Sequence, residues 1–447
     1  MNKADKVPPH SQDAEKSTLG SMLLDDEAIY KANEILDSNC FYWESHKLTF
    51  EVITELNNNN KPADLVTVNQ ALRDKGQLEE VGGASYITSL ANAVPTAANV
   101  EYYANIVKEK AEFRNLIKTG GKIKQLGYNS EESEKAIYKA EELIYNLTNE
   151  NHSGQNYDIK DIILELSDKI EKRAKGEIDA IPTKYPDFNN LLSAGGIEKQ
   201  TLTVIAARSS MGKTSFALNL AEHWGVEKQI PLAIFSLETG RGMFAQRLLA
   251  INKGIPLRKF KRPDKLTEQE QDKFWQAYSI AAGEIGESPI TINDKAGLSV
   301  GEIKSHIINL KRQEDIKIAI IDYLQLINPD YREDTRTQEL GKITNSLKNL
   351  ARDLDISIIL ISQLNRGVEN RQNKRPMMSD IRGSGKIEED SDLIISLYRD
   401  DYYNPDTEKE GITEVSILKQ KEGATETFEL GFRKPTTQFL SLTKREE

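Results

Sequence analysis

The sequence predicts two regions of different class: an all-α N-terminal region and an α/β C-terminal region on a mainly parallel central sheet, joined by a linker helix. Three observations carry this. From Asp13 to about Asn149, apolar residues recur at three- and four-residue spacing, as in AEKSTLGSMLLDDEAIYKANEIL and NVEYYANIVKEKAEFRNLIKTGGKIKQLGY. After Gln200 the chain changes to short, nearly continuous Val- and Ile-rich runs, which suit strands buried on both faces. Between several runs lie amphipathic segments such as TSFALNLAEHW and TQELGKITNSLKNLARDL, and strands alternating with helices make a doubly wound sheet.

Taken in order, residues 1–150 form helices separated by polar or Gly-containing breaks at NNNNKPAD (57–64) and GG (82–83), a globular part followed by a helical hairpin. NENHSGQNYD reads as a linker, and after it Ile159, Ile162, Ile163, Leu166 and Ile170 share one helical face. Residues 151–180 are thus a connector whose helix needs a docking surface, on its own chain or on a neighbour. Residues 181–447 carry the strands TLTVIA (201–206), PLAIFSLE (231–238), IKIAIID (316–322), ISIILIS (356–362) and DLIISLY (392–398). The tail EVSILKQKEGATETFELGF reads as two strands around a Gly turn that extend the sheet in antiparallel fashion.

Composition narrows the function. At 447 residues the chain is too long for one compact core. Its single cysteine, Cys40, forms no intramolecular disulfide and builds no Cys-based zinc site, which suits a reducing cytoplasm. No apolar stretch approaches the roughly 18 residues of a membrane span, so a cytoplasmic protein without a membrane role is expected. The net charge of -11 argues at first against a nucleic-acid partner. Distribution changes that: residues 1–150 hold 16 Lys and Arg against 24 Asp and Glu, a net of -8, leaving only -3 for the rest.

The sharpest motif is Ala207-Arg208-Ser209-Ser210-Met211-Gly212-Lys213-Thr214, between a strand and the helix that opens with Ser215. It matches a phosphate loop at its Gly-Lys-Thr end, with Ala207 in place of the first Gly. Such a turn aims backbone N–H groups at phosphate, Lys213 reaches the β- and γ-phosphates, and the Thr214 hydroxyl joins a Mg²⁺ shell. Asp322 ends IKIAIID at the carboxyl edge of a strand; alone this is commonplace, and beside the loop it reads as the carboxylate that holds Mg²⁺ through water. Glu238 ends another run, either as a base toward the attacking water or as a solvated strand-end residue. Gln363 follows ISIILIS, where an amide senses the γ-phosphate. Between residues 366 and 386, Arg366, Arg371, Lys374, Arg375, Arg382 and Lys386 face only Glu369 and Asp380, with Gly383 and Gly385 interspersed. This loop-like stretch is a site for nucleic-acid phosphates or a solvated basic loop.

These residues resemble the replicative DNA helicases of the DnaB type, hexameric RecA-fold motors, over nearly the whole chain. PHSQDAEKSTLGSMLLD, ADLVTVNQAL and LEEVGGASYITSLANAVPTAANVEYYANIVKEK look like that family's helical domain. AARSSMGKTSFALN, FSLE, IIDYLQLI, LKNLARDLDISIILISQLNR and SDIRGSGKIEEDSDLIISLYR look like its ordered motor motifs.

The resemblance implies an ATP- and Mg²⁺-dependent helicase, a homohexameric ring moving 5′ to 3′ on single-stranded DNA and opening forked DNA. By position it makes Lys213 and Thr214 the phosphate and metal ligands, Glu238 the base, Asp322 the Walker-B acid and Gln363 the γ-phosphate sensor. Arg247 packs on the base; Arg382, Gly383 and Gly385 fall in the DNA-contact loop. Lys419 and Lys421 are the pair that a neighbouring subunit inserts toward the γ-phosphate. Lys421 stands where Arg is usual, a point charge in place of a planar fork. Ser209 stands for a common Pro, and Gly383 for a frequent Glu; these departures fit a phage or mobile-element relative. One cysteine builds no primase zinc site, so a separate primase and a loader are expected partners. A RecA-like recombination ATPase and a non-catalytic ring subunit are the rival readings.

Overall fold

The computed structural model describes residues 7–130, 133–149, 159–175, 180–330, 333–381 and 383–442. The chain divides into two compact units, residues 1–154 and 155–447.

In the first unit, helix starts are set by local capping. Ser11 accepts the Ala14 N–H at the start of Gln12–Leu24, Asp25 accepts that of Glu27, and Asp64 accepts those of Val66 and Thr67 at the start of Leu65–Asp74. These helices, with Glu44–Asn58, Gly83–Ala91 and the first half of Val100–Asn129, enclose Leu19, Ile29, Ile53, Val68, Leu72, Ile87 and Leu90. Gly20 is required where helix backbones meet, because a Cβ there would lie 2.3 Å from the Leu90 carbonyl oxygen. A polar chain crosses this core: Glu15 Oε2 pairs with His46 Nδ1 at 2.6 Å, and His46 Nε2 pairs with the Tyr86 hydroxyl at 2.7 Å. The rest of Val100–Asn129 packs as a hairpin with Ser133–Asn149. It leaves Phe113, Leu116, Ile117, Tyr128, Ile137 and Ile144 exposed.

In the second unit, the helix Ile159–Ala174 exposes Ile159, Ile162, Ile163, Leu166 and Ile170, the face read from the sequence. The predicted linker before it lies outside the described residues from 150 to 158. A small ladder pairs β1 (Ala180–Ile181) with β2 (Ile197–Glu198). The main sheet holds β3 (Leu202–Ala207), β4 (Leu232–Ser236), β5 (Ile290–Asn293), β6 (Ile318–Asp322), β7 (Ser357–Gln363), β8 (Leu393–Tyr398), β9 (Ile412–Gln420), β10 (Thr427–Arg433) and β11 (Gln438–Ser441). Its order is β11-β10-β9-β8-β3-β7-β6-β4-β5; β3 to β8 run parallel and the last three strands antiparallel. Every residue of β3, β4, β6 and β8 is buried, as continuous apolar runs require.

Three features were not predicted. The β1–β2 ladder and the four-residue strands β5 and β11 are too short for periodicity to register, and no residue of β5 is fully buried. The tail therefore adds three antiparallel strands, not two.

Candidate active site

β3 ends at Ala207 and the next helix begins at Lys213, so the intervening loop stands at the carboxyl edge of the sheet, with β7 and β8 on either side of β3. The loop turns through positive φ at Ser210 (67°) and Gly212 (99°). A Cβ at Gly212 would also lie 3.1 Å from the Phe439 ring, so shape and conformation both call for glycine. Met211 and Ser215 are buried and anchor the loop, whose helix N–H groups are left for an external acceptor.

The side chains around it converge. Thr214 Oγ1 donates to Asp322 Oδ2 at 2.7 Å. Burial pushes the Asp322 carboxyl above its ordinary range, opposed by the Thr214 hydrogen bond and the Lys213 charge and reinforced by Glu238. Lys213 donates to the Arg208 carbonyl at 3.4 Å, and burial pulls its pKa down against the opposite pull of Asp322 and Glu238. Register brings Glu238 in: Ser236 lies opposite Asp322, the Leu237 N–H donates to the Asp322 carbonyl at 2.8 Å, and Glu238 follows, exposed. Arg247, on the helix Arg241–Lys253, sends its charge to Asp322 and donates to the Met243 sulfur at 3.8 Å. Gln363 ends β7 opposite Ala207 and donates to Ser209 Oγ at 2.8 Å. Gln325, which lies within IIDYLQLI but was assigned no role from the sequence, holds that end by accepting the Gln363 N–H at 3.2 Å and donating to Ser362 Oγ at 3.1 Å.

Thr214 and Asp322 offer hard oxygen ligands on the same side of the loop, a donor set that fits Mg²⁺. Among the described residues no group of three or more His, Cys, Asp or Glu that could hold a metal ion is assembled.

Lys419 and Lys421 are not in this constellation. β9 runs antiparallel to β8, and its last residue Gln420 is in register with Leu393, where β8 begins. Both lysines therefore lie at the rim opposite the phosphate loop. Lys419 donates to the Glu388 carbonyl, and the exposed Lys421 stands 3.9 Å from the Asp392 carboxylate.

The basic stretch is more ordered and less free than the loop read from the sequence. It holds a short turn Arg366–Asn370, a bridge between Leu364 and Ile381, and a helix Ser384–Asp390 that Gly383 starts at φ 82°. Gly385 and Lys386 thus sit on a helix, both exposed. Arg371 donates to Asp380 at 2.6 Å, Arg375 grips both Glu414 oxygens at 2.6 and 2.7 Å, and Lys386 donates to Glu389 at 2.5 Å. Lys374 lies 4.6 Å from the Tyr403 ring centroid. Arg366 is exposed, with no ion pair among the described residues, and Arg382 lies outside them. The six-cation cluster is therefore partly internal: long side chains took partners that sequence proximity does not reveal.

Sequence reasoning also missed a contact between the phosphate loop and the basic stretch. Arg208, 8% exposed, donates through Nε and Nη2 to Glu369 Oε1 at 2.9 and 2.7 Å, and through Nη1 to the Leu364 carbonyl at 2.9 Å. The available signal was an Arg inside the phosphate loop and one of only two acids in the basic stretch.

A phosphate loop, a strand-end acid and a strand-end glutamine on one edge of a mainly parallel sheet define a RecA-like ATPase. The chain matches the DnaB-like helicase C terminal domain over residues 180–441 and the DnaB-like helicase N terminal domain over residues 7–109. It is 41% identical to the replicative DNA helicase DnaC of Bacillus subtilis (strain 168), over 99% of this chain and 96% of that protein. It is also 41% identical to the replicative DNA helicase DnaB of Geobacillus stearothermophilus, over 99% of this chain and 97% of that one. Among solved structures, a DnaB-like replicative helicase described with its interactions with primase aligns with a TM-score of 0.74 at 32% identity, covering 97% of this chain and 100% of that one. The chain belongs to the DnaB-like replicative helicase family and is an ATP-dependent DNA helicase. Among the described residues, no helix is long and apolar enough to cross a membrane.

Proposed function

We propose that copies of this chain form a hexameric ring that moves 5′ to 3′ along one DNA strand and opens the duplex at a fork, with ATP hydrolysed between subunits. The observation that carries this reading is the separation of Lys419 and Lys421 from the phosphate loop by the depth of the sheet. Head-to-tail packing brings the lysine rim of one copy to the loop rim of the next and closes a ring.

In this reading Ser210, Met211, Gly212 and Ser215 shape the phosphate cradle, Lys213 neutralises the phosphates, and Arg247 packs on the base. Thr214 and Asp322 would hold Mg²⁺, which would supply charge neutralisation to the bound phosphates. Glu238 orients the attacking water and takes its proton. Lys421, with Lys419, enters from the neighbour to offset the charge that grows on the transferring phosphoryl group. Gln363 holds the γ-phosphate and gives up Ser209 to do so, which links hydrolysis to the segment that follows it. Arg366, Arg382, Gly383, Gly385 and Lys386 face the DNA backbone.

Residues 1–150 handle proteins rather than DNA, consistent with their net charge of -8. A separate primase and a loader are the expected partners. The connector 151–180 docks its exposed apolar helix on the adjacent copy, and residues 181–447 are the motor.

The test is unwinding of a forked duplex with ATP, with Lys213→Ala as the inactive control. ATP hydrolysis on single strands without fork opening would favour a recombination-type ATPase. DNA affinity should also fall steeply with salt, because phosphate contacts dominate.

A further inference from the structure

We propose that Arg208 and Glu369 form the strut that couples the nucleotide loop to the DNA-facing segment, an inference that rests on the DNA reading of residues 366–386. The pair joins two places whose roles are otherwise separate. Arg208 is part of the phosphate loop, one residue beyond β3, and Glu369 lies in the turn Arg366–Asn370 that follows the sensor strand. A buried guanidinium is costly unless it is paired and hydrogen-bonded. Here both donors on one edge hold a single carboxylate oxygen, and Nη1 holds the Leu364 carbonyl, so the fork is fixed in its plane.

Each end of the strut leads onward. The Arg208 carbonyl accepts Lys213 Nζ at 3.4 Å, a bond that a γ-phosphate must displace to engage that lysine. Gln363, whose Ser209 contact is adjacent, gives way to the same ligand. At the other end, the segment after Glu369 is a fastened unit rather than a loose loop. Asp380, 8% exposed, accepts from Arg371 at 2.6 Å and from the Met377 N–H at 2.7 Å, while its carbonyl accepts the Asn365 N–H at 2.8 Å. Val368, Leu364 and Ile381 are buried beside it. A shift of Arg208 therefore moves residues 364–381 as one piece, and Ile381 stands two residues before Gly383. The path has two ends and a contiguous set of contacts between them, as coupling of two sites requires.

Coupling is reciprocal: nucleotide strengthens DNA binding by the factor by which DNA strengthens nucleotide binding. The experiment measures both factors with a non-hydrolysable ATP analogue and single-stranded DNA, in the full-length wild-type and Glu369→Gln chains. The amide keeps an acceptor for Arg208 but removes the charge. Expected in the variant are a melting temperature near wild type and analogue affinity without DNA within about twofold. Both coupling factors should drop together by at least about fivefold. Equal coupling in both chains, with the wild type coupled, would overturn the strut and leave only an anchor for the turn. A wild-type chain whose two affinities are independent would overturn the DNA reading along with it. Should Glu369→Gln fail to fold, Glu369→Asp, which keeps the charge and withdraws it by one methylene, decides the matter: reduced coupling supports the strut and full coupling overturns it.

Discussion

The two rims of one sheet make an instructive pair. At the carboxyl rim, Lys213, Thr214, Glu238, Asp322, Arg247 and Gln363 come from separate stretches of the chain and converge around one loop, where Thr214 bonds Asp322 and Gln363 bonds Ser209. At the opposite rim, Lys419 and Lys421 have, among the described residues, a backbone carbonyl and the distant edge of a carboxylate as side-chain partners, and Lys421 is largely exposed. One rim is organised for a ligand, whereas the other presents charge outward. On the proposed reading, that difference is how a catalytic unit divided between copies of one chain looks from inside a single copy.

The largest expected effect lies at the organised rim. Glu238→Gln should lower the single-turnover rate of ATP hydrolysis by about 10³-fold while leaving ATP affinity within about twofold, because removal of a general base costs rate rather than ground-state binding. Unchanged turnover would mean that Glu238 is a solvated strand-end residue and that another group activates the water.

The contrast itself is broken or upheld by Lys421→Ala, for which a loss of about 10²-fold is expected, less than for the planar arginine it replaces. Mixing this variant with Lys213→Ala chains should restore part of the activity, because some interfaces then pair an intact loop with an intact Lys421. No recovery in mixed assemblies would mean that each chain completes its own site.

The smallest effect is on stability. Since burial raises the Asp322 carboxyl above 3.8, the native state prefers its neutral form. That contribution is fully present below the ordinary pKa and is lost as pH rises through the raised value. Asp322→Asn, neutral at every pH, should melt about 2 °C higher than the nucleotide-free wild type near pH 7, a gain that vanishes toward pH 4. Calorimetry at the two pH values checks it; a lower melting temperature at pH 7 would mean that the carboxylate is satisfied without a metal.

Much of the motor was legible because buried parallel strands are written as unbroken apolar runs and their ends mark the ligand edge. Asp322 and Gln363 were placed at that edge by their strand ends, and Lys213 and Thr214 by the Gly-Lys-Thr loop after β3. Other features were hidden by their chemistry. β5 and β11 are four residues long and lack a period. Gln325 lies inside IIDYLQLI, but nothing in that run says what it holds, because its bond to Gln363 exists only where β6 and β7 are neighbours. The basic stretch misled in part because charge counting treats every cation as free; Arg375 found Glu414, 39 residues away, and the stretch folded around Asp380.

By itself, the sequence determined the class of each region, the phosphate loop and the edge on which chemistry occurs, since these follow from local periodicity and from residue types at strand ends. Only the tertiary structure decided which charges are neutralised inside the protein, which rim each lysine occupies, and that Arg208 meets Glu369 across 161 positions. Such pairings depend on strand order and on the direction in which β9 returns. No local pattern encodes either, because both result from how the whole sheet buries its faces.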